Sequence, residues 1–289
     1  MDQAKKLREE IQMQKEPKKK GHRPVKVISV TSGKGGVGKT QVVSNLALAL
    51  RARNLEVLVF DGDVGLANID IIYNISPPYN LKHLLDGSKK INEVLFSGPD
   101  GVKILPASSG IQQLTHLTDQ SKMSIIDQLE QLDGLFDVVI VDTSAGISDN
   151  VMYLNSAAQA ILVVVTPEPT SITDAYALMK VMATQYGEKT FHIITNQVKN
   201  EAEGKTIFKS LVNAADQFLD SVQLWHMHNF LHDEKVRQSI IKQQPMIKFD
   251  KEGMTAKSYR ELADKVIKLE TNEQKGGMQF FLKQALTSN

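Results

Sequence analysis

A glycine-rich segment lies between a short apolar run and a longer amphipathic stretch near the start of the chain. The apolar run covers residues 25–31, the segment reads Ser32-Gly33-Lys34-Gly35-Gly36-Val37-Gly38-Lys39-Thr40, and the amphipathic stretch covers residues 39–53. This is the pattern G-x-x-x-x-G-K-[ST] in the strand–loop–helix setting that it requires. Its glycines let successive backbone N–H groups surround phosphate oxygens, and the following helix N-terminus adds partial positive charge. The segment therefore predicts a phosphate-binding loop, with Lys39 on the phosphates and the Thr40 hydroxyl on Mg²⁺.

Short apolar runs alternate with longer amphipathic stretches from residue 25 to residue 270. We predict strands at 25–31, 55–60, 101–106, 136–141, 160–166, 191–195 and 222–225. We predict helices at 39–53, 119–132, 149–159, 171–185, 204–218, 233–242 and 255–270. Almost continuous Val and Ile, as at 138–141, suits strands buried on both faces. The pattern predicts an α/β fold, a doubly wound and mostly parallel sheet with helices on both faces, in which strand 101–106 suits a parallel position least.

The two ends of the chain differ from this alternating part. Residues 1–24 combine a thin apolar stripe at 2–14 with a basic linker rich in proline and lysine, and residues 271–277 read as a flexible linker. Proline, glycine and runs of charge do not build a core. We therefore expect an N-terminal extension at 1–24, one nucleotide-binding domain at 25–270, and a linker with a C-terminal helix at 271–289.

The composition restricts the kinds of site that the chain can hold. Its 289 residues include no cysteine, which excludes a disulfide framework, an iron–sulfur cluster on its own thiolates and a cysteine nucleophile. Its first 24 residues are polar, and its longest uninterrupted apolar run, 160–165, is far shorter than a membrane span. We expect a cytoplasmic protein whose contact with the inner face of the cell membrane is peripheral and reversible.

Lys34 is an additional lysine inside the phosphate loop. The run Lys34-Gly35-Gly36-Val37-Gly38-Lys39-Thr40 resembles the deviant Walker A signature of the MinD/ParA family of dimerising ATPases. The resemblance implies ATP and Mg²⁺ as ligands, ATP hydrolysis, and a homodimer that forms with ATP. It also implies that Lys34 crosses the dimer interface and contacts the partner's nucleotide.

Two acidic segments follow predicted strands and resemble the switch regions of that family. Asp61 and Asp63 lie in the segment 60–70, and Asp142 lies in the segment 141–147. The resemblance implies that Asp61 and Asp142 support Mg²⁺ through water and that Asp63 positions the attacking water. Phosphoryl transfer needs mainly such positioning and charge neutralisation. Ser144 departs from the glycine expected in the nearest relatives.

Three further residues are candidates for contacts with the nucleotide. Asn196 ends a predicted strand where this family contacts adenine, and Glu168, in a proline-containing segment, suits a contact with the partner subunit's ribose. A plain loop role for Glu168 fits the residues equally well. Gln41, next to the loop threonine, completes the nucleotide-binding set.

The N-terminus carries a motif of its own. Asp2, Gln3, Ala4, Leu7 and Arg8 match D-Q-A-x-x-L-R, which resembles the activator motif of the FlhG (YlxH or FleN) branch of the family. That branch regulates the number and placement of bacterial flagella. The resemblance implies that this motif docks on the signal-recognition-type GTPase FlhF and stimulates it, and that flagellar C-ring proteins of the FliM, FliN or FliY type are further partners.

The C-terminal segment has the spacing of an amphipathic helix. Its apolar stripe consists of Met278, Phe281, Leu282, Ala285 and Leu286. The stripe can enter the lipid interface, pack on its own domain or mediate oligomer contacts, and the family uses such a helix for membrane targeting. One copy binds lipid weakly, whereas a dimer presents two copies.

The sequence leaves two other kinds of function open. One is a binding module in which nucleotide sets the dimer state and turnover is incidental, and the other is a positioning or DNA-partitioning ATPase. The whole chain has a formal net charge of +1, with an excess of five cations in residues 1–26 and of one in 271–289, so residues 27–270 carry a net charge of −5. Because a DNA-partitioning protein needs a basic surface on its core, we expect no nucleic-acid partner.

Overall fold

The computed structural model describes residues 25–63, 69–106, 128, 131–132, 134–219, 222–271 and 275. Its strands are β1 (Lys26–Ser32), β2 (Val57–Gly62), β3 (Phe96–Ser97), β4 (Lys103–Pro106), β5 (Val138–Ala145), β6 (Ala160–Val165), β7 (Thr190–Val198) and β8 (Gln223–Leu231). They form one sheet in the order β3-β4-β2-β5-β1-β6-β7-β8. Each neighbouring pair is parallel except β3 with β4. The α/β fold predicted from the sequence is confirmed.

The helices lie on both faces of this sheet. They are α1 (Lys39–Arg51), α2 (Ile69–Tyr73), α3 (Leu81–Leu85), α4 (Ile91–Val94), α5 (Asp149–Ala157), α6 (Pro169–Tyr186), α7 (Glu201–Phe218), α8 (Glu234–Ile241), α9 (Met246–Phe249) and α10 (Met254–Lys268). Alternate residues of β1 point to opposite faces, so Ile28 packs with α1 and α10 while Val27 packs with α3, α4 and α5. Helices α6 and α7 cover the same face as α5, over β6 and β7.

Helix α1 is enclosed by the sheet on one side and by α10 on the other. All of its residues except Thr40 and Arg51 are buried. From Val42 to Leu50 the helix is mostly apolar, which suits such an enclosed position. The phosphate loop is therefore held between two buried elements, β1 and α1.

The structure corrects three predictions about the sheet and the short helices. The strand at 101–106 is parallel to β2, and the antiparallel strand is β3, which is too short to give a hydrophobic pattern. Strand β8 continues to Leu231 instead of ending at residue 225, and two of the polar residues that interrupt its apolar pattern, His228 and Asn229, are buried with partners. His228, for example, has its Nε2 atom 2.5 Å from the Ser258 hydroxyl. The one-turn helices α2, α3, α4 and α9 were not predicted, since they are shorter than the repeat that reveals a helix.

Strand β1 ends at the point where the strand order reverses. After β1 the chain crosses to β2 on one side of it, and after β5 it crosses to β6 on the other side, so the connections change direction beside β1. In open α/β sheets, ligands bind at the carboxyl edge beside such a switch point. Within the described part of the chain, no helix is both long and apolar enough to span a bilayer.

Candidate functional site

The phosphate loop occupies residues 33–38, at the carboxyl end of β1. A Cβ atom on Gly33 would lie 2.1 Å from the Asp174 carbonyl oxygen of α6, so only glycine lets the loop pass that helix. Gly38 caps α1 in the left-handed region, with φ 94°, and a Cβ atom there would lie 2.5 Å from the Asn196 side-chain nitrogen. Because these two glycines carry no side chain, the loop can pass close to α6 and β7 and expose its backbone on the inner surface.

Lys39 is buried beneath the loop. Its Nζ atom donates a 2.9 Å hydrogen bond to the Ser32 hydroxyl, which in turn donates to the Lys34 carbonyl oxygen over 2.7 Å. Burial lowers the pKa of Lys39, while the carboxylates of Asp142 and Asp63 oppose that effect. The ammonium group is thus held beneath the phosphate loop, close to two acidic side chains.

Asp61 and Asp142 lie opposite each other in the register of β2 and β5. Both are buried, and neither carboxylate oxygen of Asp142 has a hydrogen-bond partner among the described residues. Burial raises the pKa of Asp142 to about 7, although the Thr40 hydroxyl and the Lys39 ammonium lower it in part. Burial also raises the pKa of Asp61 well above its usual range, and the charge of Asp142 adds to this effect.

Two buried carboxylates, with Asp142 unpartnered among the described residues, fit a cation at this edge of the sheet. Among the described residues, no three His, Asp or Glu side chains are grouped closely enough to hold a metal ion by themselves. Mg²⁺ usually keeps several waters and binds through one or two carboxylates together with substrate phosphates. The residues present therefore suit Mg²⁺ delivered with a nucleotide, beside Thr40 at the first turn of α1.

Asp63 and Gln41 flank this centre. Asp63 is half-buried, and its backbone N–H donates to Asp61 Oδ1 over 3.4 Å. Gln41 is buried on the first turn of α1, where its Oε1 atom accepts a 3.2 Å hydrogen bond from Asn45. Its amide nitrogen has no partner among the described residues.

Lys34 and Glu168, for which we predicted separate roles, form an ion pair within the chain. The Lys34 ammonium contacts the Glu168 carboxylate and lies 3.0 Å from the Thr170 hydroxyl at the start of α6. The two charged side chains are 37% and 60% exposed, so both stay accessible to solvent. Lys34 lies at the surface of the loop, whereas Lys39 lies beneath it.

Asn196 contacts the phosphate loop itself. Its side-chain nitrogen donates a 2.8 Å hydrogen bond to the Val37 carbonyl oxygen, and its side-chain oxygen accepts from the Gln197 N–H over 2.9 Å. The end of β7 is thereby fixed to the loop after β1, across β6. The sequence predicted Asn196 as a base contact, and the structure places it between the loop and an adjoining cavity.

That cavity has a volume of about 280 Å³ and lies beside the loop. Its lining includes Gly36, Gly38, Gln41, Asn196 and Gln197, together with residues 230–234, 236 and 237 from the end of β8 and the start of α8. Sequence reasoning missed the second group because it ended β8 six residues early. The residue that could have marked the true end of β8 is Asp233. It follows the apolar pair Phe230-Leu231, and it caps α8 by accepting a 2.9 Å hydrogen bond from the Lys235 N–H.

Other predicted residues lie outside the described ones. They are the N-terminal motif at 2–8, residues 64–68 of the first switch segment, most of the predicted helix at 119–132, and the C-terminal stripe at 278–286. The predictions for these segments stay predictions.

Comparison with known proteins decides the family. A family model described as "ParA: NUBPL iron-transfer P-loop NTPase" matches residues 24–267. Antiactivator FleN of Pseudomonas aeruginosa is 40% identical over 243 residues, which covers 84% of this chain and 86% of that protein. The chain belongs to the MinD/ParA family. It is an ATPase, as the sequence predicted.

Further relatives agree with this assignment. The flagellum site-determining protein YlxH of Helicobacter pylori is 31% identical over 268 residues, covering 90% of each chain. Among solved structures, MinD in the MinC:MinD cell division complex of Aquifex aeolicus superposes with a TM-score of 0.68 at 24% identity, over 85% of this chain and 97% of that one. MinD of Pyrococcus horikoshii with Mg-ADP gives a TM-score of 0.65 at 23% identity, over 84% and 96%. These two structures show the shared fold.

Proposed function

We propose that this ATPase is a nucleotide-dependent dimerising switch that regulates the number and placement of flagella. The observation that carries the proposal is the 40% identity to a protein named antiactivator FleN, which extends over 243 residues and 84% of this chain. The name of the Helicobacter pylori relative, a flagellum site-determining protein, supports the same assignment. Bacterial flagellar regulation is therefore the process in which the switch acts.

The nucleotide site supplies the chemistry of the switch. Backbone N–H groups of residues 33–38 and the Lys39 ammonium bind the phosphates of ATP, with Gln41 beside them. Thr40, Asp61 and Asp142 hold Mg²⁺, the two carboxylates through water, and the bound ion neutralises phosphate charge. Asp63 positions the attacking water at the γ-phosphate, which is the main demand that phosphoryl transfer makes on a protein.

The base and ribose occupy the cavity beside the loop. Asn196 reaches the adenine from the end of β7, where its side chain already contacts Val37. The 280 Å³ of this cavity is close to the lower end of the range for small-molecule sites, which suits a base that is partly open to solvent.

ATP converts the chain into a homodimer. Lys34 leaves Glu168 and places its charge on the partner subunit's nucleotide, as in a deviant Walker A loop, while Glu168 becomes available to the partner's ribose. The observed ion pair is solvent-exposed, so its disruption costs little, about 0–1 kcal/mol. A charge-assisted contact with a triphosphate is stronger and favours the dimer.

The two tails connect the switch to its surroundings. Residues 1–24 are the activator extension, in which Asp2, Gln3, Ala4, Leu7 and Arg8 dock on FlhF and stimulate its GTPase activity. Residues 25–270 are the ATPase domain. Residues 271–289 carry the membrane-targeting stripe, which brings the ATP-bound dimer to the inner face of the cell membrane, near C-ring proteins.

Dimerisation and partner capture test the proposal separately. In light scattering with a slowly hydrolysed ATP analogue, the wild type is expected to form dimers, and Lys34→Ala is expected to stay monomeric. Lys180→Ala, an exposed lysine on α6, is the matched control. A Lys34→Ala chain that dimerises like the wild type removes the proposed role of Lys34.

A pull-down tests the flagellar assignment. The full chain, with and without ATP, is expected to retain FlhF, and Gln3→Ala is expected to lose stimulation of the GTPase while keeping its own ATPase activity. Absence of FlhF and C-ring proteins from both pull-downs contradicts the flagellar assignment but leaves the ATPase site untouched.

A further inference from the structure

The start of the described chain and its last helix meet at the amino edge of the sheet. The Lys26 ammonium, at the beginning of β1, donates to the carbonyl oxygens of Val266, Ile267 and Leu269 at 3.0, 3.0 and 2.6 Å. These are among the orphan carbonyls that end α10, so one lysine caps the helix and joins the two ends of the domain. The start of β1 and the end of α10 therefore lie at one place, opposite the phosphate loop.

A second contact holds the C-terminal segment to the same edge. The Lys275 ammonium forms an ion pair with Glu188, and the two side chains are only 18% and 14% exposed. Burial raises the pKa of Glu188, and the Lys275 charge opposes this. Because Glu188 lies just before β7 begins, it belongs to the amino edge of the parallel strands. The residues after 275 thus also start from this edge.

The two segments that start here have complementary chemistry. Residues 15–23 carry Lys15, Lys18, Lys19, Lys20 and Arg23 against a single acid, Glu16. The stripe at 278–286 is apolar, with Lys283 as the only cation of that segment. A fully extended chain spans at most about 3.5 Å per residue, so the six residues before Lys26 or after Lys275 can reach at most about 20 Å from these lysines. Both segments can therefore contact one flat surface beyond this edge.

We propose that the basic linker 15–23 is the electrostatic half of a two-part membrane anchor, with the C-terminal stripe as its apolar half and anionic lipid as its partner. This inference rests on the membrane binding in the proposed function. Stable peripheral anchoring takes two signals, such as one apolar insertion and a polybasic patch. Each lysine close to an anionic leaflet strengthens binding several-fold, which the stripe with its one lysine cannot supply. The amino edge of the sheet then faces the bilayer, and the nucleotide site faces away from it.

Vesicle co-sedimentation of the full chain with Mg²⁺ and a slowly hydrolysed ATP analogue tests the anchor. The vesicles are phosphatidylcholine alone, or phosphatidylcholine with 30% phosphatidylserine. The variant Lys18→Gln/Lys19→Gln/Lys20→Gln is expected to bind the anionic vesicles at least tenfold more weakly than the wild type. It is expected to bind the neutral vesicles as the wild type does, and high salt should remove the wild type's preference for anionic vesicles.

Two further variants separate the possible outcomes. Lys199→Gln/Lys205→Gln/Lys209→Gln removes three exposed lysines near the opposite edge and should bind as the wild type does; an equal loss in this variant overturns the inference. Phe281→Glu should lose binding to both kinds of vesicle. If it keeps wild-type binding, the membrane anchor of the proposed function is wrong. If it loses binding while the linker variant binds normally, only the present inference is wrong.

A nucleic-acid role for the linker is an alternative outcome of the same experiment. A gel-shift assay with a 30-base-pair duplex is run on the wild type and the linker variant. A shift that the linker variant loses, together with unchanged vesicle binding, assigns the linker to nucleic acid and overturns the lipid proposal. Absence of a shift, together with the tenfold loss on anionic vesicles, supports it.

Discussion

The buried charge of Asp142 is expected to lower the free energy of unfolding, and the substitution Asp142→Asn measures by how much. Both of its carboxylate oxygens are buried without a hydrogen-bond partner among the described residues, and burial raises its pKa to about 7. An aspartate in the unfolded chain loses its proton near pH 4. Folding therefore takes up a proton between about pH 4 and pH 7, so this residue makes the folded state progressively less stable as the pH rises through that window.

The magnitude follows from the two pKa values. At pH 8 the shift corresponds to about 4 kcal/mol of lost stability, and at pH 5, where folded Asp142 is protonated, to about 2 kcal/mol. The asparagine is neutral throughout, and the cost of its own buried amide does not depend on pH. The gain in stability from Asp142→Asn should thus be about 2–3 kcal/mol larger at pH 8 than at pH 5.

Urea unfolding without nucleotide and with a chelator measures this difference. Asp216→Asn, an exposed aspartate on α7, is the control and should leave unfolding unchanged at both pH values. A gain of equal size at pH 5 and pH 8, or a larger gain at pH 5, refutes the reasoning. The same variant should lose Mg²⁺-dependent ATP binding, since the destabilising charge is what the ion needs.

Three other substitutions test separate parts of the site. Asp63→Ala should slow phosphate release at least tenfold with ATP affinity within about twofold of the wild type, because water positioning is lost while the cradle stays; a wild-type rate contradicts its assignment. Glu168→Gln should strengthen dimerisation with the ATP analogue by up to about fivefold, as measured by ultracentrifugation. The reason is that Lys34 loses an exposed ion pair, while the new amide can still contact a ribose. Weaker dimerisation of this variant contradicts the prediction. Gly33→Ala should destabilise the chain and abolish ATP binding, because its Cβ atom would lie 2.1 Å from the Asp174 carbonyl oxygen. Gly35→Ala is the control, since the nearest atom to its Cβ atom is 4.0 Å away. Similar unfolding and ATP binding of the two variants in calorimetry would exclude the steric argument.

Sequence reasoning succeeded where the signal is local. The phosphate loop is a continuous pattern flanked by its strand and helix, and the buried strands are runs of Val and Ile. Contacts between distant positions were not predictable in this way, because no spacing links Asn196 to Val37, 159 residues apart, or Lys34 to Glu168, 134 residues apart. The end of β8 was missed for a related reason, since its polar residues are satisfied by partners from other elements, such as Ser258 on α10.

The phosphate loop and the described ends of the chain lie at opposite edges of one sheet, which limits how they communicate. Strand β1 carries Lys26 and the α10 carbonyls at its amino end and leads into the phosphate loop at its carboxyl end. This strand is buried along almost its whole length between β5 and β6. It is therefore held in one conformation and does not act as a switch between two conformations. Nucleotide binding to a single chain is therefore expected to leave the tails unchanged.

In the proposed function, dimerisation is then the step expected to link ATP to the membrane, because it would double the number of anchors without any change at the amino edge. Lys34→Ala provides the test, as it should keep the cradle and bind ATP while staying monomeric. In liposome flotation, the wild type with the ATP analogue should exceed the wild type with ADP, and Lys34→Ala with the analogue should float like wild type with ADP. Wild-type flotation by a monomeric, ATP-loaded Lys34→Ala chain would show that the signal crosses the sheet within one subunit, and the argument from the buried strand would be wrong.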